Sequence, residues 1–175
     1  MKLDIVYVSP YDRARDSCAI AMEQIPKDKQ PPYIATADAV REYSAGDWTH
    51  ISRKEAHNIP TLLRMAAMTS AFLPPNGESM HQVERRASLW LEENILYNKS
   101  VMKMAAEKAA KNEKLNICVF SHGMTIKCLL HYIMGFDQSF IWKLTLENTS
   151  ICKLHFGAEG WRLLTINDHA HLLNL

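Results

Sequence analysis

Apolar residues fall along this chain in two rhythms. Short unbroken runs at 3–8 and 116–120 read as buried strands. After the second run, Ile126, Leu129, Leu130, Ile133 and Met134 recur at helical spacing, and Gly135 stops that helix. The first run likewise gives way to a helical stretch reaching Ile25. A proline-bounded loop, 26–32, leads to a short strand over 33–37. Residues 51–71 read as helical but broken near Pro60, with Leu62, Leu63, Met65 and Ala66 as packing positions, and Pro74-Pro75-Asn76-Gly77 ends the unit. Met65 and Met68 suit gap-filling in a core better than a flexible lid.

The next helix has a legible start. Ser79 followed by Gln82 matches a capping box, and Val83, Ala87, Trp90, Leu91 and Asn94 trace one face, with Leu96 drifting off it. A further helix over 101–111, rich in Ala, Lys and Glu, reads as largely solvated. Runs at 150–156 and 161–166 alternate about Gly157-Ala158-Glu159-Gly160, the pattern of a β-hairpin.

Chemistry concentrates at the two strand-to-helix junctions. Ser121-His122-Gly123 places a histidine at the carboxyl end of one strand, beside the backbone N–H groups that open a helix. Ser9-Pro10-Tyr11-Asp12-Arg13 does the same with Ser9 and Arg13, and a guanidinium fork suits phosphate or carboxylate. A tight turn and a solvated first-turn arginine are the competing readings, but two such junctions suggest two walls of one pocket. In open α/β sheets, ligands bind at such strand ends.

The order of motifs resembles that of the histidine phosphatase (phosphoglycerate mutase-like) superfamily. Tyr7-Val8-Ser9-Pro10-Tyr11-Asp12-Arg13-Ala14 is similar to its second-strand motif, whose arginine grips the phosphoryl group. Arg41-Glu42-Tyr43-Ser44-Ala45-Gly46-Asp47-Trp48 resembles its acidic loop, whose glutamate is general acid and base. Gly77-Glu78-Ser79, with Val83 and Arg86, looks like the substrate-proximal helix start, and Ser121-His122-Gly123 like the second-histidine motif. Asn148-Thr149-Ser150-Ile151 and 167–172 are similar to the closing strand pair and tail. The resemblance implies an α/β fold, three-layer αβα with a mostly parallel central sheet, in a single domain spanning 1–175. It implies catalytic His122 and Glu42, phosphate-binding Arg13 and Gly123, and substrate-binding Glu78 and Ser79. The implied chemistry is phosphomonoester hydrolysis without cofactor or metal, acting on a phosphorylated small molecule.

Family members open with a strand ending in Arg-His-Gly, whose histidine becomes phosphorylated. Here eight residues precede Ser9 and none is histidine. His50, His57, His81, His131, His155, His169 and His171 neither follow an apolar strand nor precede glycine, so no nucleophile is assigned. The expectation is an amino-terminally truncated and inactive form, with a non-catalytic phospholigand- or protein-binding relative as the alternative and a mutase-type phosphotransferase as the second.

Composition narrows the rest. At 175 residues, 47% hydrophobic and 22% charged, the chain suits one globular domain. A net charge of +1 supplies no field for nucleic acid or an acidic membrane, so neither is an expected partner; a homodimer remains open. Cys18, Cys118, Cys128 and Cys152 show no zinc spacing, and Cys118 and Cys128 read as small buried apolar residues. A reducing, cytoplasmic setting is the simplest expectation.

Overall fold

The computed structural model describes residues 2–172, the side chain of Arg53 excepted. The chain divides into two compact units, Met1–Glu42 with Arg85–Thr125, and Tyr43–Glu84 with Ile126–Leu175.

The first unit is built on a three-stranded parallel sheet. Strand β1 (Ile5–Val8) lies between β2 (Ile34–Thr36) and β3 (Ile117–Phe120). All four residues of β1 are buried, which accounts for its unbroken apolar run. Val6 and Val8 meet Ala14, Cys18 and Met22 of helix α1 (Asp12–Glu23) on one face. On the other, Tyr7 sets its ring edge-on to Trp90 at 5.0 Å, and its hydroxyl donates to the Asn94 carbonyl at 3.3 Å. Helical segments thus cover both faces of the sheet, the layered α/β arrangement expected from the motif order. Asp4, itself buried, anchors the strand starts: it pairs with Lys108 at 2.8 Å and accepts from the Asn116 N–H at 2.8 Å.

Trp90 belongs to helix α4 (Met80–Leu91), which runs into a π-turn, Glu92–Leu96. Helix α5 (Lys99–Ala109) follows, capped by Asn98 and burying Val101. It presents mostly solvated positions, as its composition suggests.

The second unit holds α2 (Arg53–Ala56), α3 (Ile59–Met68), the start of α4, most of α6 (Gly123–Met134), α7 (Phe140–Lys143), and an antiparallel hairpin, β4 (Ile151–Gly157) with β5 (Gly160–Asp168). The helical break expected near Pro60 falls instead at 57–58. Asn58 caps α3, accepting from the Thr61 N–H at 3.0 Å, and Pro60 sits in the first turn, where its missing N–H costs nothing. Leu62 and Leu63, expected to pack, are exposed at 46% and 67%. The capping box of α4 forms as spelled: Ser79 N–H donates to Gln82 Oε1 at 2.7 Å, and Gln82 N–H to Ser79 Oγ at 3.2 Å. The hairpin turns over Ala158-Glu159, with Gly160 at φ +86°.

Two loops of this unit meet backbone to backbone. Asp47 N–H donates to the Pro75 carbonyl at 3.0 Å, and Glu78 N–H to the Ser44 carbonyl at 2.9 Å. Gly46 sits between them at φ +57°, and a Cβ there would lie 2.0 Å from the Pro75 oxygen. Only glycine meets both requirements.

Candidate active site

β1 connects through α1 to β2 on one side, and β3 joins β1 on the other. The loops leaving the carboxyl ends of β1 and β3 therefore flank a topological switch point. Val8 pairs with Phe120, and Ser9 N–H extends the pairing by donating to the Phe120 carbonyl at 2.9 Å. Ser9 is consequently fixed at the strand end and fully buried.

His122 follows β3 and is also buried. Its Nε2 lies 2.7 Å from Ser9 Oγ, and Arg13 Nε donates to its Nδ1 at 3.2 Å. Arginine is always a donor, so Nδ1 carries the lone pair and Nε2 the hydrogen, which points to Ser9. The ring is neutral in this arrangement. Burial lowers its pKa first, the Arg13 charge lowers it further, Glu42 opposes, and Arg86 adds a smaller lowering. The neutral imidazole is thus the resting form of His122 in the absence of a bound anion. The same tautomer removes Ser9 as a base-activated nucleophile, because Nε2 donates to that hydroxyl and cannot take its proton.

Arg13 lies in the first turn of α1, its guanidinium 5.1 Å from the centroid of Tyr11, whose ring in turn lies 5.4 Å from that of His122. Only Nε is engaged among the described residues; the rest of the fork borders an open cleft of about 380 Å³ lined by Pro10, Tyr11, Asp12 and Arg13.

Glu42 follows β2 through a short 3₁₀ turn, Asp38–Val40. Its carboxylate accepts from the N–H groups of Met124 and Thr125 at 3.4 and 3.3 Å, at the start of α6. The helix N-terminus read as an anion site therefore holds a carboxylate of the chain itself. Thr125 Oγ1 donates to the Arg41 carbonyl at 2.6 Å, and Ser121 Oγ to the Val40 carbonyl at 2.8 Å. Arg86 donates to the carbonyls of Ala39 and Glu42 at 2.5 and 3.3 Å. Residues 39–42 are tacked down at four carbonyls, so the Glu42 backbone is well fixed. Gly123 opens α6, and a Cβ there would meet nothing within 4 Å. The space over the helix start is open.

Arg13, Glu42, His122 and Gly123 thus all fall in the first unit. The charges that bear on His122 are those of Arg13 and Arg86, opposed by Glu42. Glu78 and Ser79 fall in the second unit, where Glu78 Oε2 accepts from the Ser44 N–H at 3.2 Å and Ser79 caps α4. Sequence reasoning placed Ser9 at the junction without a partner, named Arg86 only within the substrate-proximal motif, and gave Thr125 no role. A buried serine closing an apolar strand was the available signal for Ser9; Arg86 and Thr125 act through backbone carbonyls, which leave no trace in sequence. Cys118, half-buried, has its thiol pKa pushed up to about 11 by burial, and Cys128 is fully buried. Among the described residues no group of three or more His, Cys, Asp or Glu could hold a metal ion. No helix among them is long and apolar enough to cross a membrane.

Several solved structures share this fold. Bacillus stearothermophilus YhfR superposes with a TM-score of 0.70 at 16% identity, covering 98% of this chain and 77% of its own. A mycobacterial glucosyl-3-phosphoglycerate phosphatase in complex with inorganic phosphate gives 0.67 at 19% identity, with coverages of 97% and 79%. An Entamoeba histolytica phosphoserine phosphatase mutant in complex with phosphoserine gives 0.65 at 22%, with coverages of 97% and 76%. No curated protein matches the sequence. The model of the histidine phosphatase superfamily, branch 1, matches residues 1–169, and with the motifs above in its order the chain belongs to that family.

Proposed function

We propose that the first unit carries the phosphate-binding and proton-transfer groups of a phosphomonoester phosphatase. Phosphoryl transfer depends mostly on positioning and charge neutralisation. Arg13 suits clamping the equatorial oxygens through its unused fork. The open space over Gly123 gives an anion access to the start of α6. A bound phosphate would draw a proton onto His122 Nδ1 by opposing the Arg13 and Arg86 charges, breaking the Arg13 Nε bond to that nitrogen and freeing Nε for the anion, and imidazolium stabilises the charge of the transition state. Glu42 is the group to protonate the leaving alkoxide. The observation that carries this reading is the Arg13–His122–Ser9 chain of hydrogen bonds at the switch point, with one acidic side chain on the adjoining helix start.

His122 is the one histidine of this unit, since the other seven lie in 43–84 and 126–175. With Nδ1 held by Arg13 and Nε2 by Ser9, it is placed to stabilise rather than attack. We therefore infer that residues 1–175 on their own bind phosphate and phosphomonoesters with negligible turnover through phosphohistidine, the behaviour of a phospholigand-binding relative. Vanadate titration of the chain, Arg13→Ala and His122→Ala tests the clamp. Losing one charged donor costs roughly tenfold to hundredfold in affinity, and equal affinities in all three would remove it. A steady-state assay with acid-labile phosphate trapping tests the second part, which fails if label accumulates on a histidine.

A further inference from the structure

The second unit contains a cavity of about 210 Å³ lined by none of the residues assigned above to phosphate chemistry. Tyr43, Met65, Ala66, Phe72, Met80 and Trp142 line it. Of these, Phe72 and Met80 are buried, whereas Trp142 is 56% exposed. Thr69 also borders it, but its hydroxyl donates to Gln138 Oε1 at 3.1 Å and is engaged.

Size and lining select the occupant. A dry apolar cavity of about 150 Å³ accepts benzene, so this one has room for a single substituted ring. Aromatic walls and two thioethers favour an aromatic guest over an aliphatic one of equal volume, through edge-to-face and sulfur–ring contacts. Charge sets the other limit. None of the lining side chains is a cation; Arg64, over the Phe72 ring at 5.9 Å, is solvent-exposed, and the Glu78 carboxylate bears electrostatically on Tyr43, so an anion gains little in return for its desolvation. We propose that this cavity is a binding site for a small uncharged aromatic compound about one ring in size, chemically distinct from the anion-binding cluster of the first unit.

The test uses the full chain with phenol as probe, and cyclohexanol and benzoate as the aliphatic and anionic controls. Binding is followed by calorimetry and by the indole N–H signals of the four tryptophans. Phenol should shift the Trp142 indole signal and leave those of Trp90 and Trp161 in place. Benzoate should bind at least about tenfold more weakly, and cyclohexanol more weakly than phenol. Ala66→Trp, at an exposed position on the cavity wall, should fill the space and weaken phenol about tenfold or more. Ala66→Leu serves as a milder filler should the larger one unfold the chain, as read by its thermal midpoint. Phenol shifting all four indole signals alike, benzoate binding as well as phenol, or a folded filler variant with unchanged affinity would each overturn the proposal.

Discussion

Arg13 Nε donates to His122 Nδ1 at 3.2 Å, and this bond decides the tautomer of the ring. A permanently protonated neighbour leaves the imidazole one nitrogen for its hydrogen, and that hydrogen is committed to Ser9. Arg13 therefore acts on His122 twice, by geometry and by charge. Arg13→Ala should raise the His122 pKa, since it removes a charge that opposes protonation and a donor that favours the neutral ring. Glu42→Gln should lower it, because the carboxylate is the one group pulling it up. Following the His122 ring protons through a pH titration checks both, and an unmoved midpoint in Arg13→Ala would refute the coupling.

The depressed pKa of His122 also makes folding stability depend on pH. In the unfolded chain the ring protonates near its ordinary value of 6.5, whereas in the fold it resists protonation to lower pH. The unfolded state thus binds more protons between the two values, and stability rises with pH there. This contribution is fully present above about pH 6.5 and is lost as pH falls through the folded-state pKa. Denaturant unfolding from pH 8 to pH 4.5 should show a shallower acid loss for His122→Gln than for the parent chain.

Ser9 has no room to be replaced quietly. It is fully buried and accepts the His122 Nε2 hydrogen. Ser9→Ala leaves that buried donor without a partner and should cost about 1–3 kcal/mol of unfolding free energy. A loss below about 0.5 kcal/mol would mean that the ring finds another acceptor.

The carboxylate of Glu42 occupies N–H groups at the start of α6 that an incoming anion would also seek. Glu42→Gln removes a negative charge from that place and keeps a hydrogen-bond acceptor. Vanadate should then bind several-fold more tightly, while any proton donation is lost. Gly123→Ala should do the reverse: nothing clashes with the new Cβ, so the fold is kept, but the methyl group enters the open space and anion affinity falls. Affinities equal to the parent in both variants would place the anion elsewhere.

Much of this was legible in the chain. The burial of β1 and the stripe of α6 are direct consequences of apolar spacing, and the Ser79–Gln82 cap forms from a local pattern that tertiary context does not disturb. The unread parts are those in which distant backbone takes part. Nothing near Arg86 in sequence shows that it will hold the carbonyls of Ala39 and Glu42, and nothing near Glu42 shows that it will cap a helix begun eighty residues later. Leu62 and Leu63 failed for a different reason. Spacing identifies an apolar face but says nothing about what will cover it.

The closure at Gly46 has a bearing on engineering. With Asp47 bound to Pro75 and Glu78 to Ser44, the excursion between these loops is pinched shut at its base. Closing a longer or shorter excursion changes the entropy only slowly with length. Residues 49–73, which carry the Met65, Ala66 and Phe72 wall of the cavity, are therefore a cassette: they can be exchanged or resized while the base stays seated. The base itself is not negotiable, and Gly46→Ala, driving a methyl group into the Pro75 carbonyl, should cost roughly 3 kcal/mol or more in a denaturant melt. New ring specificities could be grafted above that neck without rebuilding what lies beneath it.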